Sequence, residues 1–183
     1  MTPFIIAIGG PHGSGKSSVS KRLAETLNMN YVSAGEIFRQ MANDRRISLE
    51  KFSQMVIEEP EIDKLIDDRT KELGAVNNTV VDAQLAAYFT PKDAALKICI
   101  SASATHRWER IAKRENRSLE ESKEETRIRE ETERKRFLDL YNIDVSDLTK
   151  YDVVINTDRI SEENTYQITE AIVKRIMLDY KDQ

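Results

Sequence analysis

Gly10-Pro11-His12-Gly13-Ser14-Gly15-Lys16-Ser17 follows directly on the apolar run Phe4-Ile5-Ile6-Ala7-Ile8 and meets every constrained position of the phosphate-cradling pattern G-x-x-x-x-G-K-[ST]. The setting restricts the fold as strongly as the letters do. A short β-branched run reads as a buried strand, and Ser17 to Leu27 has helical period. Between them the glycines let the backbone fold into a nest whose N–H groups face one point. The helix N-terminus adds about half a positive charge at the same point. A nucleoside triphosphate is the anion this arrangement fits. Gly10, Pro11, His12, Gly13, Ser14, Gly15, Lys16, Ser17 and Ser18 are the expected donor-phosphate residues. Lys16 would sit over the outer phosphates, and the Ser17 hydroxyl would hold Mg²⁺.

The chain has 183 residues, a length suited to one domain with a substantial core. Its charged residues amount to 33% with a formal net charge of −4, a balance that argues against broad contact with nucleic acid or a membrane surface. The single cysteine, Cys99, lies in the apolar segment Leu96-Lys97-Ile98-Cys99-Ile100 and reads as a core thiol in a reducing compartment. No apolar stretch approaches the ~20 residues of a bilayer span. The first strand begins within a few residues of Met1, leaving no room for a signal peptide, so a cytoplasmic location is expected.

Strands are expected at Phe4–Ile8, Tyr31–Ser33, Thr79–Asp82, Leu96–Ser101 and Asp152–Ile155. Helical period covers Ser17–Leu27, Glu36–Ala42, a long stretch from Leu49 to Leu73, Ala104–Glu115, Leu119–Leu140 and Glu162–Tyr180. Ser161 is a natural N-cap for the last of these. The alternation predicts an α/β fold, a parallel sheet with helices on both faces. Two segments interrupt it. Residues 34–78 form several helices with no strand between them, and residues 107–140 form a charged insertion. The core is then 1–33, 79–106 and 141–183 of a single domain.

The second insertion contains Arg107, Arg110, Arg114, Arg117, Arg127, Arg129, Arg134 and Arg136. Glutamates accompany them, and i,i+3 or i,i+4 pairs such as Glu120 with Lys123 and Glu130 with Arg134 would account for part of the pattern. Arginine nevertheless dominates lysine there, and arginine is the residue for bidentate phosphate contact. A phosphate-facing lid follows. Phosphoryl transfer needs such a cover to exclude water, an acceptor pocket and cations around the moving group. The first insertion is placed to supply the pocket. Asp82, ending a buried strand where ligands bind in open α/β sheets, is the carboxylate to support the metal. His12 occupies an unconstrained position of the loop and is expected simply to be tolerated. Trp108 and Phe137 are expected to pack the lid ends against the core.

These residues together resemble the archaeal type of cytidylate kinase, within the nucleoside monophosphate kinases and the wider P-loop superfamily. The resemblance runs over nearly the whole chain. Ser33-Ala34-Gly35-Glu36-Ile37-Phe38-Arg39 is similar to the family's acceptor-phosphate element, and Arg107-Trp108-Glu109-Arg110-Ile111-Ala112-Lys113-Arg114-Glu115 to its lid entry. Arg129-Glu130-Glu131-Thr132-Glu133-Arg134-Lys135-Arg136-Phe137 resembles the lid's return, and Tyr141–Asp144 with Tyr151–Thr157 the family's C-terminal portion. Ile62-Asp63, Asp67 and Arg69 resemble part of the monophosphate-binding insertion. The resemblance implies a three-layer P-loop kinase fold with a five-stranded parallel sheet, a helical monophosphate-binding insertion and an arginine-rich lid. It implies ATP with Mg²⁺ as donor and CMP or dCMP as acceptor. Arg39 would grip the acceptor phosphate with Gly35 beside it. Arg110 would lie against the ATP base and Arg114 near its phosphates. Arg129 and Arg136 would close over the reaction, and Asp63 and Gln84 would face the acceptor. Gln84 is a departure: the family pattern after the third strand is acidic residue, glycine, arginine, whereas here it is Asp82-Ala83-Gln84. A kinase of another small acceptor, such as AMP or a nonnucleotide alcohol, stays open, as does an ATPase or nucleotide switch acting on a protein.

Overall fold

The computed structural model describes residues 4–91 and 95–181. Its centre is strand β1 (Ile5–Gly9), every residue of which is buried. Four further strands join it in parallel: β2 (Asn30–Ser33), β3 (Thr79–Asp82), β4 (Ala95–Ser101) and β5 (Val153–Asn156), in the order β2-β3-β1-β4-β5. The alternation along β1 feeds two cores. Ile6 and Ile8 face a large cluster with Val80, Ile98, Ile100 and Ile155, whereas Ile5 and Ala7 face a smaller one with Val81, Ala83 and Ala86. Burial on both faces is what a strand without polar alternation requires.

Helices cover both faces. α1 (Lys16–Leu27) and the last helix, α8 (Glu162–Lys181), place Val19, Leu23, Tyr166 and Val173 in the larger cluster. Ser161 caps α8, its Oγ accepting from the Asn164 N–H at 3.2 Å, as expected. The first insertion contains α2 (Ala34–Asp44), α3 (Leu49–Glu58) and α4 (Pro60–Gly74). The stretch expected from Leu49 to Leu73 is therefore broken at Glu59, since Pro60 has no N–H to continue α3 but suits the first position of α4. These three helices have their own core of Ala42, Phe52, Val56, Ile62 and Ile66, with Phe38 edge-to-face on Phe52 at 4.8 Å. α4 returns to the sheet at Gly74, where an added Cβ would stand 2.9 Å from Val81.

A short helix that periodicity did not announce, α5 (Ala86–Phe89), follows β3. The second insertion is a helical hairpin of α6 (Ala104–Glu115) and α7 (Leu119–Tyr141). Asn116 closes α6 in the left-handed region, and Ser118 with Glu121 opens α7 with a capping box. Among the described residues, no helix is long and apolar enough to cross a membrane.

Candidate active site

The parallel register brings the C-terminal ends of three strands to one level: Ile8 is opposite Asp82, and Asp82 is opposite Ser33. The turn after β1 opens at that level. Gly10, Gly13 and Gly15 all have positive φ. Gly13 lies so near α6 that a Cβ would stand 2.6 Å from the Arg107 carbonyl, while at Gly15 nothing lies within 4 Å of such an atom. The loop is closed on its α6 side and open above α1. Lys16 folds back with Nζ donating to the Pro11 carbonyl at 3.4 Å. Burial holds its ammonium below the usual lysine range, the Asp82 and Glu133 carboxylates working against that shift. Ser17 is exposed on the cavity side of the first turn of α1. Ser18 also lines the cavity, and its hydroxyl donates to Glu162 at the start of α8.

Asp82 is 2% exposed. Its Oδ2 accepts from the Tyr31 hydroxyl at 2.9 Å and the Ser33 hydroxyl at 3.4 Å, leaving Oδ1 without a protein donor among the described residues. Burial and the Asp82 charge push the Tyr31 phenol upward, so it remains a donor. Among the described residues there is no group of three His, Cys, Asp or Glu able to hold a metal. One hydroxyl and one carboxylate suffice for Mg²⁺ when substrate oxygens and water complete the shell.

Both insertions lean over the loop. Arg107, 7% exposed, donates to the His12 carbonyl at 2.8 Å and forms a two-nitrogen pair with Glu130 of α7. The expected Glu130–Arg134 pair therefore does not form, because the buried guanidinium of Arg107 has the stronger need for a carboxylate. Glu120 with Lys123 does form, at 3.3 Å. Arg110 donates to Thr157 Oγ1 at 2.9 Å, to the Thr157 carbonyl at 3.0 Å and to the Ser14 carbonyl at 3.3 Å. It joins the phosphate loop to the end of β5 here. Arg114 pairs with Glu115 at 2.6 Å on the cavity wall. His12 is more than a tolerated residue. Its Nε2 donates to Glu133 Oε2 at 2.7 Å, while Glu133 Oε1 accepts from Arg129 Nε at 3.0 Å. Burial weighs against both charges, yet the charges and hydrogen bonds of His12 and Arg129 hold the Glu133 carboxyl down at about 2.

Toward the first insertion, Arg136 forms an ion pair with Asp63, joining α7 to α4. The same two helices meet where Asp67 Oδ2 accepts from the Tyr141 hydroxyl at 3.0 Å. Arg39, on α2, has no hydrogen bond or ion pair among the described residues and projects beside Gly35, where a Cβ would be 3.5 Å from its Nη1. Gln84 is half-buried on the cavity wall. Its carbonyl accepts from the Tyr151 hydroxyl at 3.5 Å. Phe137 is buried as expected, and Trp108 is half-buried with Lys123 Nζ 5.9 Å from its ring centroid.

One cavity of about 1190 Å³ takes in the phosphate loop from His12 to Ser18, Gly35, Arg39, Asp63, Asp82, Gln84, Arg110, Arg114, Arg129 and Arg136. Gly10 and Pro11 lie outside its lining. Sequence reasoning missed Glu133, Tyr31 and Thr157. The lid contains so many glutamates that nothing in their spacing marks Glu133. Tyr31 could have been found as a hydroxyl two strand positions, and so on the same face, from Ser33, the register partner of Asp82.

Comparison with known proteins bears on this arrangement. A family model described as the cytidylate kinase-like family matches residues 5–159. A cytidylate kinase of Archaeoglobus fulgidus is 42% identical over 179 residues, 96% of this chain and 99% of that protein. One of Staphylothermus marinus is 40% identical over 173 residues, 94% of this chain and 98% of that protein. Among solved structures, a gluconokinase from Sinorhizobium meliloti aligns with TM-score 0.63 at 16% identity, covering 100% of this chain and 99% of that one. A shikimate kinase from Bacteroides thetaiotaomicron aligns with TM-score 0.63 at 13% identity over 93% and 98% of the two chains. At such identities these two share the fold alone.

Proposed function

The chain belongs to the cytidylate kinase-like family and is a nucleoside monophosphate kinase; from that premise we propose that it transfers the γ-phosphoryl group of ATP to CMP or dCMP in the cavity between its two insertions. One observation carries the assignment of sites. The phosphate loop and the unpaired Arg39 open into the same cavity of about 1190 Å³, larger than the roughly 300–1,000 Å³ typical of a single small ligand. That space accommodates two nucleotides.

In this reading the loop's backbone and Lys16 hold the donor phosphates, and Arg39 receives the acceptor phosphate as its missing partner. The residues present fit Mg²⁺: Ser17 faces the cavity, and Asp82 keeps one carboxylate oxygen uncommitted. Ser17 and Asp82 would hold the ion, which when bound neutralises charge on the phosphate oxygens. Arg129 and Arg136 lie on the lid helix above, Arg129 held through its Nε by Glu133 and Arg136 paired with Asp63, a carboxylate that substrate oxygens would replace. Catalysis then rests on positioning and charge rather than on a general base. Gly35 lies beside the Arg39 guanidinium, and Asp63 and Gln84 line the acceptor end. Arg114 sits on the donor wall. Arg110 supports that wall through Thr157. We place the reaction in the cytoplasm; Cys99, a buried thiol pushed up to about 11 by burial, suits a compartment that asks no redox role of it.

The test is to incubate the protein with ATP and Mg²⁺ and with CMP, dCMP, UMP, AMP or GMP in turn, measuring diphosphate formation. CMP and dCMP are expected to be the fastest acceptors, and Lys16→Ala to abolish turnover with each. Fast AMP with inert CMP would remove the cytidylate assignment. ATP loss indifferent to every monophosphate would remove the acceptor site.

A further inference from the structure

The motif leaves the identity of residue 12 open, and the family reading gives Glu133 no role, yet the fold joins them inside the donor half of the cavity. Glu133 is 14% exposed and His12 21%. The Glu133 carboxylate takes its two hydrogen bonds from different elements, at 2.7 Å from His12 on the phosphate loop and at 3.0 Å from Arg129 one turn back on α7. Lys16 feels the same carboxylate, along with the Arg129 and Arg114 guanidiniums. Its charge therefore sits among the cations that a triphosphate would meet. We propose that Glu133 and His12 are positioning residues for phosphoryl transfer: the pair holds Arg129 by its Nε over the phosphate loop, and leaves the two Nη nitrogens to meet incoming phosphate oxygens against the pull of the Glu133 charge.

The bonding pattern supports this. Arg129 is itself exposed, and an exposed i,i+4 pair contributes little by itself. What fixes the guanidinium is the second bond, because His12 holds Glu133, and with it that face of α7, against a loop whose backbone cannot move without disturbing the glycine turns. Arg107 secures the same place from behind, donating to the His12 carbonyl and to Glu130. A carboxylate among phosphate-binding cations should weaken nucleotide binding through competition. It should also speed the chemical step, because the arginine is held in place before phosphate arrives.

The inference rests on Arg129 acting in the donor site, and the experiment separates the two. Initial rates with ATP and CMP would be measured for Glu133→Gln, His12→Ala, His12→Gln and Arg129→Ala, with thermal melts and CMP titration to show that each variant folds. Glu133→Gln is expected to lower KM for ATP about three- to tenfold and kcat about tenfold, whereas loss of a merely structural contact would raise KM. His12→Ala is expected to lower kcat about tenfold, and His12→Gln, which still offers an N–H to Glu133, to recover part of that. If Arg129→Ala retains full kcat, the assignment of Arg129 itself is wrong. If Arg129→Ala is impaired while Glu133→Gln raises KM for ATP, or His12→Gln is no better than His12→Ala, Arg129 keeps its role and the positioning pair is overturned.

Discussion

Replacing Asp67 with asparagine should make this protein more stable at neutral pH and leave it nearly unchanged in acid. Asp67 is half-buried on α4, lines the cavity and accepts one hydrogen bond, from the Tyr141 hydroxyl at 3.0 Å. Burial lifts its carboxyl from the ordinary 3.8 to about 6, with Asp68 and Glu133 adding to the lift and the Tyr141 bond opposing it. The sign follows from proton counting. In the unfolded chain the group gives up its proton near 3.8, whereas the folded chain holds it to about 6. Between these values the folded state binds more protons, so stability falls as pH rises, and above about 6 the full cost persists. At about 1.4 kcal/mol per tenfold that is at most about 3 kcal/mol, and partial exposure to water reduces it to roughly 1–2. Asparagine keeps an oxygen for Tyr141 without the charge. In a chain of this size, the gain corresponds to a rise in Tm of roughly 2–8 °C at about pH 7.5, shrinking to a degree or so near pH 4. Calorimetric melts of both proteins at the two pH values decide it. An equal offset at both, or a less stable variant at neutral pH, would refute the reasoning. Because Asp67 faces the acceptor end, the stabilised variant is also expected to be the poorer enzyme, stability and activity pulling apart as they commonly do at binding sites.

Gln84→Arg would place a guanidinium on the cavity wall at the acceptor end, and a charge-assisted contact of about 1.5–3 kcal/mol predicts KM for CMP lower by roughly ten- to a hundredfold in initial-rate assays. Unchanged KM would mean that the acceptor phosphate lies elsewhere. Arg39→Ala should raise KM for CMP at least about tenfold and leave KM for ATP within about twofold, a split that kinetics with each substrate varied in turn would reveal. Gly13→Ala forces a φ of 76° on alanine and drives its Cβ to 2.6 Å from the Arg107 carbonyl, so ATP affinity measured by calorimetric titration should fall together with Tm.

The sheet and both insertions were legible because their signals are local. Five apolar runs, a glycine loop and helical period survive without knowledge of what packs where. Pro60 could have announced the break between α3 and α4, had its missing N–H been weighed above the continuing period. The partners of the lid were not legible. Glu130 has an acceptable i,i+4 neighbour in Arg134, yet the fold brings Arg107 to it across 23 positions. His12 lies 121 positions from Glu133, and Arg136 73 from Asp63. Charge periodicity on one helix cannot anticipate a competitor delivered by another. Nor could sequence tell that Arg110 spends its donors on Ser14 and Thr157, since every arginine in the lid offers the same guanidinium.

The lid helix α7 buries Ser122, Thr126 and Phe137 but leaves Leu119, Ile128, Leu138 and Leu140 in solvent. It is tied to the rest of the protein by Arg107–Glu130, His12–Glu133 and Arg136–Asp63. Partly buried pairs of this kind are screened by electrolyte less than surface pairs are, yet more than the apolar burial under the sheet. Added salt should therefore loosen the cover before it touches the core, so that catalytic rate and melting temperature part company at the high end of a chloride titration. The ionic composition of its surroundings then acts on how readily the enzyme opens, with the scaffold beneath it standing still.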